Sequence, residues 1–291
     1  MKNHVRSLLF LAIVAVATPI TAQTTVGVGS FGYSNGVHPT FTFIFEGTDE
    51  KYVESYWRDE LKKISHEVSN KKEVVAAGAL VPQISPDTVR ILVKAEQRKG
   101  SPMLTAHVAI LAREGYLGPD SDPGSFEGAK AFVQLHSTAI RRQLAQQELS
   151  DAEKGLARLR DDLAMLKREK ERAEAGVEKS KQRAAEAATD QEHAKAEAEE
   201  LGPRIEAQRN EVAATPSEEA TKALDRMLKD RSKAQDKERR AMDDERKMKK
   251  KAEDLEWEIR RNVEDQERKS AEITRQEELV GSLREKLAGI R

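Results

Sequence analysis

Cysteine is absent from all 291 residues. That excludes disulfide staples, thiolate metal sites, thioredoxin-like exchange and the lipidated cysteine that would tether an exported bacterial chain. Long apolar runs are nearly absent too. The one run, Leu8 to Ala17, is about ten residues, where a bilayer span needs roughly twenty. It follows Lys2 and Arg6 and precedes Thr18-Pro-Ile-Thr-Ala22, so residues 1–22 are expected to be a bacterial-type secretory signal, cleaved after Ala22. The mature protein is then periplasmic or secreted, with no membrane span. Net charge is scarce: 50 basic residues against 51 acidic ones leave -1, which is no electrostatic footprint for nucleic acid. Aromatic residues make up 4% of the chain, and Trp257 is the only one after Phe132. Aromatic core material is therefore confined to the front.

What the back half does have is charge and a seven-residue repeat. Residues 151–291 hold 36 acidic and 34 basic residues among 141, a composition too polar to enclose a globular core. From Leu149, steps of seven reach Leu156, Leu163, Lys170, Val177, Ala184, Gln191, Ala198, Ile205 and Val212. A second series from Ala152 reaches Leu159, Leu166, Ala173, Ser180, Ala187, Ala194 and Leu201. A 3.5-residue apolar spacing is the seam of a left-handed coiled coil. Thr215-Pro216-Ser217-Glu218 stops it and offers the cap, proline and acidic first turn of a new helix, with Thr215 the expected cap. Beyond it the repeat resumes through Leu224, Ala252, Ile259, Ile273, Val280 and Leu287, with Met227, Ala234, Met248, Leu255, Asn262 and Leu283 three residues on. The expectation is an antiparallel hairpin of two helices, 141–214 and 215–291, pairing residues whose numbers add to about 432. Ile205 then faces Met227, Val177 faces Leu255, and Lys170 faces Asn262 as a polar layer. Gly202-Pro203 is expected to bend or break the first helix.

The front half alternates strand and turn signals. Residues 23–39, rich in Gly, Ser and Thr, read as a flexible leader. Thr40 to Phe45 alternates as a half-buried strand. Tyr52, Val53, Tyr56, Trp57, Leu61 and Ile64 then recur at helical spacing. Val74 to Val81, Thr88 to Ala95 and Leu104 to Leu111 are three further strands between Pro and Gly punctuation, and Phe126 opens a last helix. The order β-α-β-β-β-α over residues 40–140 predicts an α+β head: a small antiparallel sheet with helices on one face.

Motifs for chemistry are weak. Gly27-Val-Gly29-Ser-Phe-Gly32 matches the dinucleotide string without the strand before it and the helix after it that the phosphate site requires. No nucleotide-binding lysine loop occurs. Asp120-Ser-Asp122 suggests a calcium loop, but the twelfth position is Ala131, so an acidic turn and helix cap is the reading. His38, His66, His107, His136 and His193 stand singly, so no metal site is expected, and no catalytic or cofactor-binding set assembles. Glu46, Asp49, Glu50 and Glu54 cluster where negative charge suits a helix start. The basic run Arg246 to Lys251 reads as a solvated face.

One residue stands out. Counting heptads from Ala252 puts Trp257 at the outermost position, away from the partner helix, so it is the candidate interaction residue. The helical arms resemble those of the chaperones of outer-membrane biogenesis and the hairpins of efflux membrane-fusion proteins, which would imply a holdase or an adaptor. The arm here is longer and more nearly neutral than the chaperones'. The expected function is an exported, non-enzymatic envelope protein acting as a coiled-coil spacer, scaffold or interaction arm, with a protein partner or a second copy. The alternatives are a periplasmic holdase, or a head that binds a small ligand or peptide.

Overall fold

Residues 26–290 are described by the computed structural model; the secretory signal expected over residues 1–22 lies outside them. Seven strands come first in the chain: β1 (Gly27–Tyr33), β2 (Gly36–Glu46), β3 (Ser65–Asn70), β4 (Val74–Ala79), β5 (Val89–Gln97), β6 (Met103–Ala112) and β7 (Gly115–Tyr116). A short helix α1 (Glu50–Leu61) separates β2 from β3, and two long helices follow, α2 (Pro123–Ala214) and α3 (Glu218–Gly289). The sheet is antiparallel, in the order β1-β2-β6-β5-β4-β3, with β7 folded back on β6. The chain forms two compact units. One contains the described residues up to Asp151 and those from Val280; the other is Ala152–Leu279.

The α+β class is as expected, but two strands precede α1 and five follow it. Residues 27–33 and 36–39, expected to lie in a flexible leader, form β1 and the start of β2, which pair from Gly27–Thr42 to Tyr33–Gly36. Glycines disguised it, because they carry little strand preference of their own. Its pairing is held by aromatic residues at one end, where Tyr33 is buried and Phe31 packs beside it. The dinucleotide string thus runs along a strand that turns back into another strand. β3 is a further strand beyond those expected, with no apolar alternation to announce it: Ser65–Asn70 is polar and lies at the other edge.

Alternation builds the head core. Phe41, Phe43 and Phe45 of β2 point to one face, as do Ile91, Val93 and Ala95 of β5 and Leu104, Ala106, Val108 and Ile110 of β6. Val53, Trp57 and Leu61 of α1 and Ala129, Phe132, Val133 and Ile140 of α2 cover that face. Trp57 is completely buried against Phe43, Phe132 and His136. Asp49 caps α1 by accepting the Tyr52 N–H at 2.7 Å. The neighbouring carboxylates do more than favour a helix start. Glu54 accepts the Ala95 N–H at 3.3 Å and Glu50 the Gln97 N–H at 2.9 Å. β5 outruns β4 there, since their pairing begins at Val74–Val93, so side chains satisfy the alternate donors that a strand would otherwise take. Lys94 adds an ion pair to Glu54 at 2.9 Å.

Asp122 accepts the Ser125 N–H at 2.8 Å and caps α2, with Pro123 at the first helical position, as the acidic-turn reading requires. That N–H holds the Asp122 carboxyl below the usual carboxylate range.

α2 and α3 pack as an antiparallel hairpin in the expected register. In the unit Ala152–Leu279, Arg160 meets Glu277 at 2.6 Å, Lys181 meets Glu256 at 2.8 Å and Gln276 donates to the Ala152 carbonyl at 2.9 Å. In the other unit Lys286 meets Glu148 at 2.6 Å. These partners' numbers all add to near 432. The buried residues of the hairpin are Ala145, Ala152, Leu156, Val177, Ser180, Ala184, Ala194, Ala198, Ile205, Ala220, Ala234, Ala252 and Val280, every one on the heptad seam. Two expectations fail locally. Pro203 lies inside α2 without breaking it. Gly202 has no Cβ to strike the proline ring, and buried Ile205 anchors the next turn. The cap of α3 is Ser217, whose hydroxyl accepts the Ala220 N–H at 3.0 Å; Thr215 still donates to the Glu211 carbonyl and closes α2.

Candidate interaction site

Trp257 is placed by its seam neighbours. Leu255 and Ile259 turn inward, and two residues from Leu255 the helix has rotated well away from the partner. The indole is 52% exposed, and the Arg261 guanidinium, one turn on, lies over its ring at 5.0 Å. Beside it is an open groove of about 490 Å³, lined from α2 by Leu166, Lys170 and Ala173 and from α3 by Leu255, Trp257 and Asn262.

The groove has a packing cause. Lys170 and Asn262, the expected polar layer, both line it. Each is satisfied along its own helix: Lys170 pairs with Glu174 at 3.2 Å, and Asn262 accepts from Gln266 at 2.7 Å. Small Ala173 lies one turn from Lys170, so little apolar volume closes the seam there. Its charged walls balance, with Glu169, Glu258 and Asp265 against Lys170, Arg172 and Arg261. The surface offers an aromatic plate, an apolar floor and both signs of charge, which suits a protein segment of mixed charge better than a polyanion.

No known family model matches the chain, and no curated protein is significantly similar to it in sequence. The site must therefore be read from its own chemistry.

The other sequence candidates do not assemble into a second site. Among the described residues no three His, Asp or Glu side chains cluster as metal ligands. In the basic run, Lys249 pairs with Glu245 and Arg246 with Asp243 along their own helix. His136 is half-buried beside Trp57, with Nδ1 3.0 Å from the Tyr56 hydroxyl; partial burial lowers its basicity and pushes the Tyr56 phenol up to about 12. Sequence reasoning missed a ladder of rings on the second face of the sheet. Phe31 stacks on His107 at 4.1 Å, and His38 stacks between Tyr33 and Tyr116, 3.7 Å from the latter. The β1–β2 turn reaches over that face, where Ser34 donates to buried Glu73. Phe31-x-Tyr33 is the sequence signal for it, masked by the glycines on either side.

Proposed function

We propose that this is an exported, non-enzymatic protein of the bacterial envelope whose helical hairpin is an interaction arm, with Trp257 and its groove as the contact for a protein partner. The observation that carries the reading is an indole more than half exposed at the flank of a hairpin whose other buried contacts follow the seam. Burying such a ring removes a large apolar area while ordering few torsions. Export rests on the signal-like first 22 residues. No helix among the described residues is long and apolar enough to cross a membrane.

A holdase would need a broad apolar surface for unfolded clients. Between residues 152 and 279 the exposed large apolar side chains, Met165, Met242, Trp257, Val263 and Leu279, are few. The interaction-arm reading is therefore preferred. Its test places a photocrosslinking amino acid at position 257 in intact cells and fractionates them by osmotic shock. A discrete adduct in the periplasmic fraction, lost when Leu166 is replaced by Glu across the groove, is the expected result. A cytoplasmic protein, or a smear of adducts indifferent to Leu166, would overturn it.

A further inference from the structure

The two edges of the head sheet are built differently. β3, at one edge, carries His66 and Glu67 and runs into Lys71-Lys72, charges of the kind that keep strands from adding to an edge. β1, at the other, is Gly-Val-Gly-Ser-Phe-Gly-Tyr: seven residues with no charge and no proline. Among the described residues it has a neighbour on one side only, and Gly27 to Ser30 and Gly32 are exposed.

Its free hydrogen-bonding groups can be assigned. Tyr33 and Gly36 close the two-residue turn, and in an antiparallel ladder the bonded pairs then alternate as Tyr33–Gly36, Phe31–His38 and Gly29–Thr40. Pro39, which has no N–H, faces Ser30 in one of the intervening pairs, as this phase requires. The N–H and C=O groups of Val28, Ser30 and Gly32 therefore point outward.

We infer that β1 pairs antiparallel with β1 of a second copy of this chain about a two-fold axis at Ser30, joining the two head sheets into one. The side chains fit this occupant. About that axis Gly27 faces Tyr33, Val28 faces Gly32, Gly29 faces Phe31, and Ser30 faces itself. Every large side chain thus meets a glycine of the other copy, and the space over Gly29 and Gly32 is empty to 4 Å. An uncharged strand meets no like-charge repulsion from its own copy, and outward groups at Val28, Ser30 and Gly32 pair completely with the same three of the partner.

The test uses the full chain, which has no native cysteine to confuse it. Ser30→Cys should oxidise to a disulfide-linked dimer at least about tenfold faster than Val37→Cys. Val37 is 72% exposed but lies one strand in, so two copies would be separated by three strand spacings, roughly 14 Å, beyond disulfide reach. Ser30→Lys sets two ammonium groups face to face and should weaken self-association in sedimentation about tenfold, whereas Ser30→Thr keeps it. Ser30 is exposed, so in a Trp257→Phe background the fluorescence of buried Trp57 should be unchanged in all variants. A chain that stays monomeric, that crosslinks equally well from Val37→Cys, or whose Ser30→Lys variant associates as tightly as the parent would overturn the pairing. Trp257→Ala leaves a β1 dimer intact, which separates this outcome from any failure of the interaction arm.

Discussion

Gly128 lies in the first turns of α2, inside a helix where alanine is ordinarily favoured by about 1 kcal/mol. Local propensity therefore predicts that Gly128→Ala stabilises the protein. The packing predicts the reverse. A Cβ at position 128 would sit 1.8 Å from the Gln83 carbonyl oxygen and 2.8 Å from its carbon, against a normal carbon–oxygen contact of about 3.3 Å. The obstacle is backbone, held in a turn by the Ile84 N–H to the Val81 carbonyl, and buried Ile84 anchors it. Relief requires α2 to withdraw by roughly 1.5 Å, carrying buried Ala129, Phe132 and Val133 from the core. Overpacking costs about 1–3 kcal/mol, and against unyielding backbone the upper end applies. Less the helical gain, the net loss is about 2 kcal/mol. The assay is urea unfolding of the full chain in a Trp257→Phe background, so that Trp57 alone reports on the head. Gly281→Ala, with nothing within 4 Å of its Cβ, serves as the control and should gain up to about 1 kcal/mol. A Gly128→Ala midpoint equal to or above that of the parent would refute the close approach of α2 to the Gln83 turn.

Ile205 is 1% exposed in a hairpin that buries little else so fully, so Ile205→Ala should cost about 2–4 kcal/mol, read as a lower helical melting temperature by circular dichroism. Glu54→Ala leaves the buried Ala95 N–H unpaired and should cost the head about 1–3 kcal/mol in urea unfolding, with Glu54→Gln recovering part of that loss. Burial holds His136 and His107 below the ordinary imidazole value, so below about pH 6.5 the unfolded chain binds protons that the folded head refuses. Stability is then full above that pH and falls as the pH drops below it; His136→Gln should flatten the decline, and an unchanged slope would count against a half-buried imidazole held neutral. Cysteines at Gly176 and Leu255, whose side chain comes within 3.0 Å of a Cβ at 176, should join within one chain; crosslinks between chains alone would replace the hairpin with a parallel pair.

The hairpin was legible in the residues because its information is periodic and one-dimensional. A 3.5-residue repeat states which side of a helix is buried, and two such repeats separated by Thr215-Pro216 state their register, with Val177 set against Leu255. The outward position of Trp257 followed from the same count, since Leu255 and Ile259 leave it no other direction. The groove did not follow. It exists because Lys170 and Asn262 each bond along its own helix and leave the seam open, a choice between local partners that spacing cannot make. In the head, β1 escaped notice because Gly27, Gly29 and Gly32 carry no strand signal; its place depends on pairing with β2 and on Phe31 and Tyr33 finding a surface assembled from strands far along the chain. Glu50 and Glu54 look like ordinary first-turn carboxylates until β5 outruns β4 beside them. Periodic burial is written locally and can be read locally, whereas a bare strand edge, a shared hydrogen bond or an unfilled seam arises only when distant segments meet.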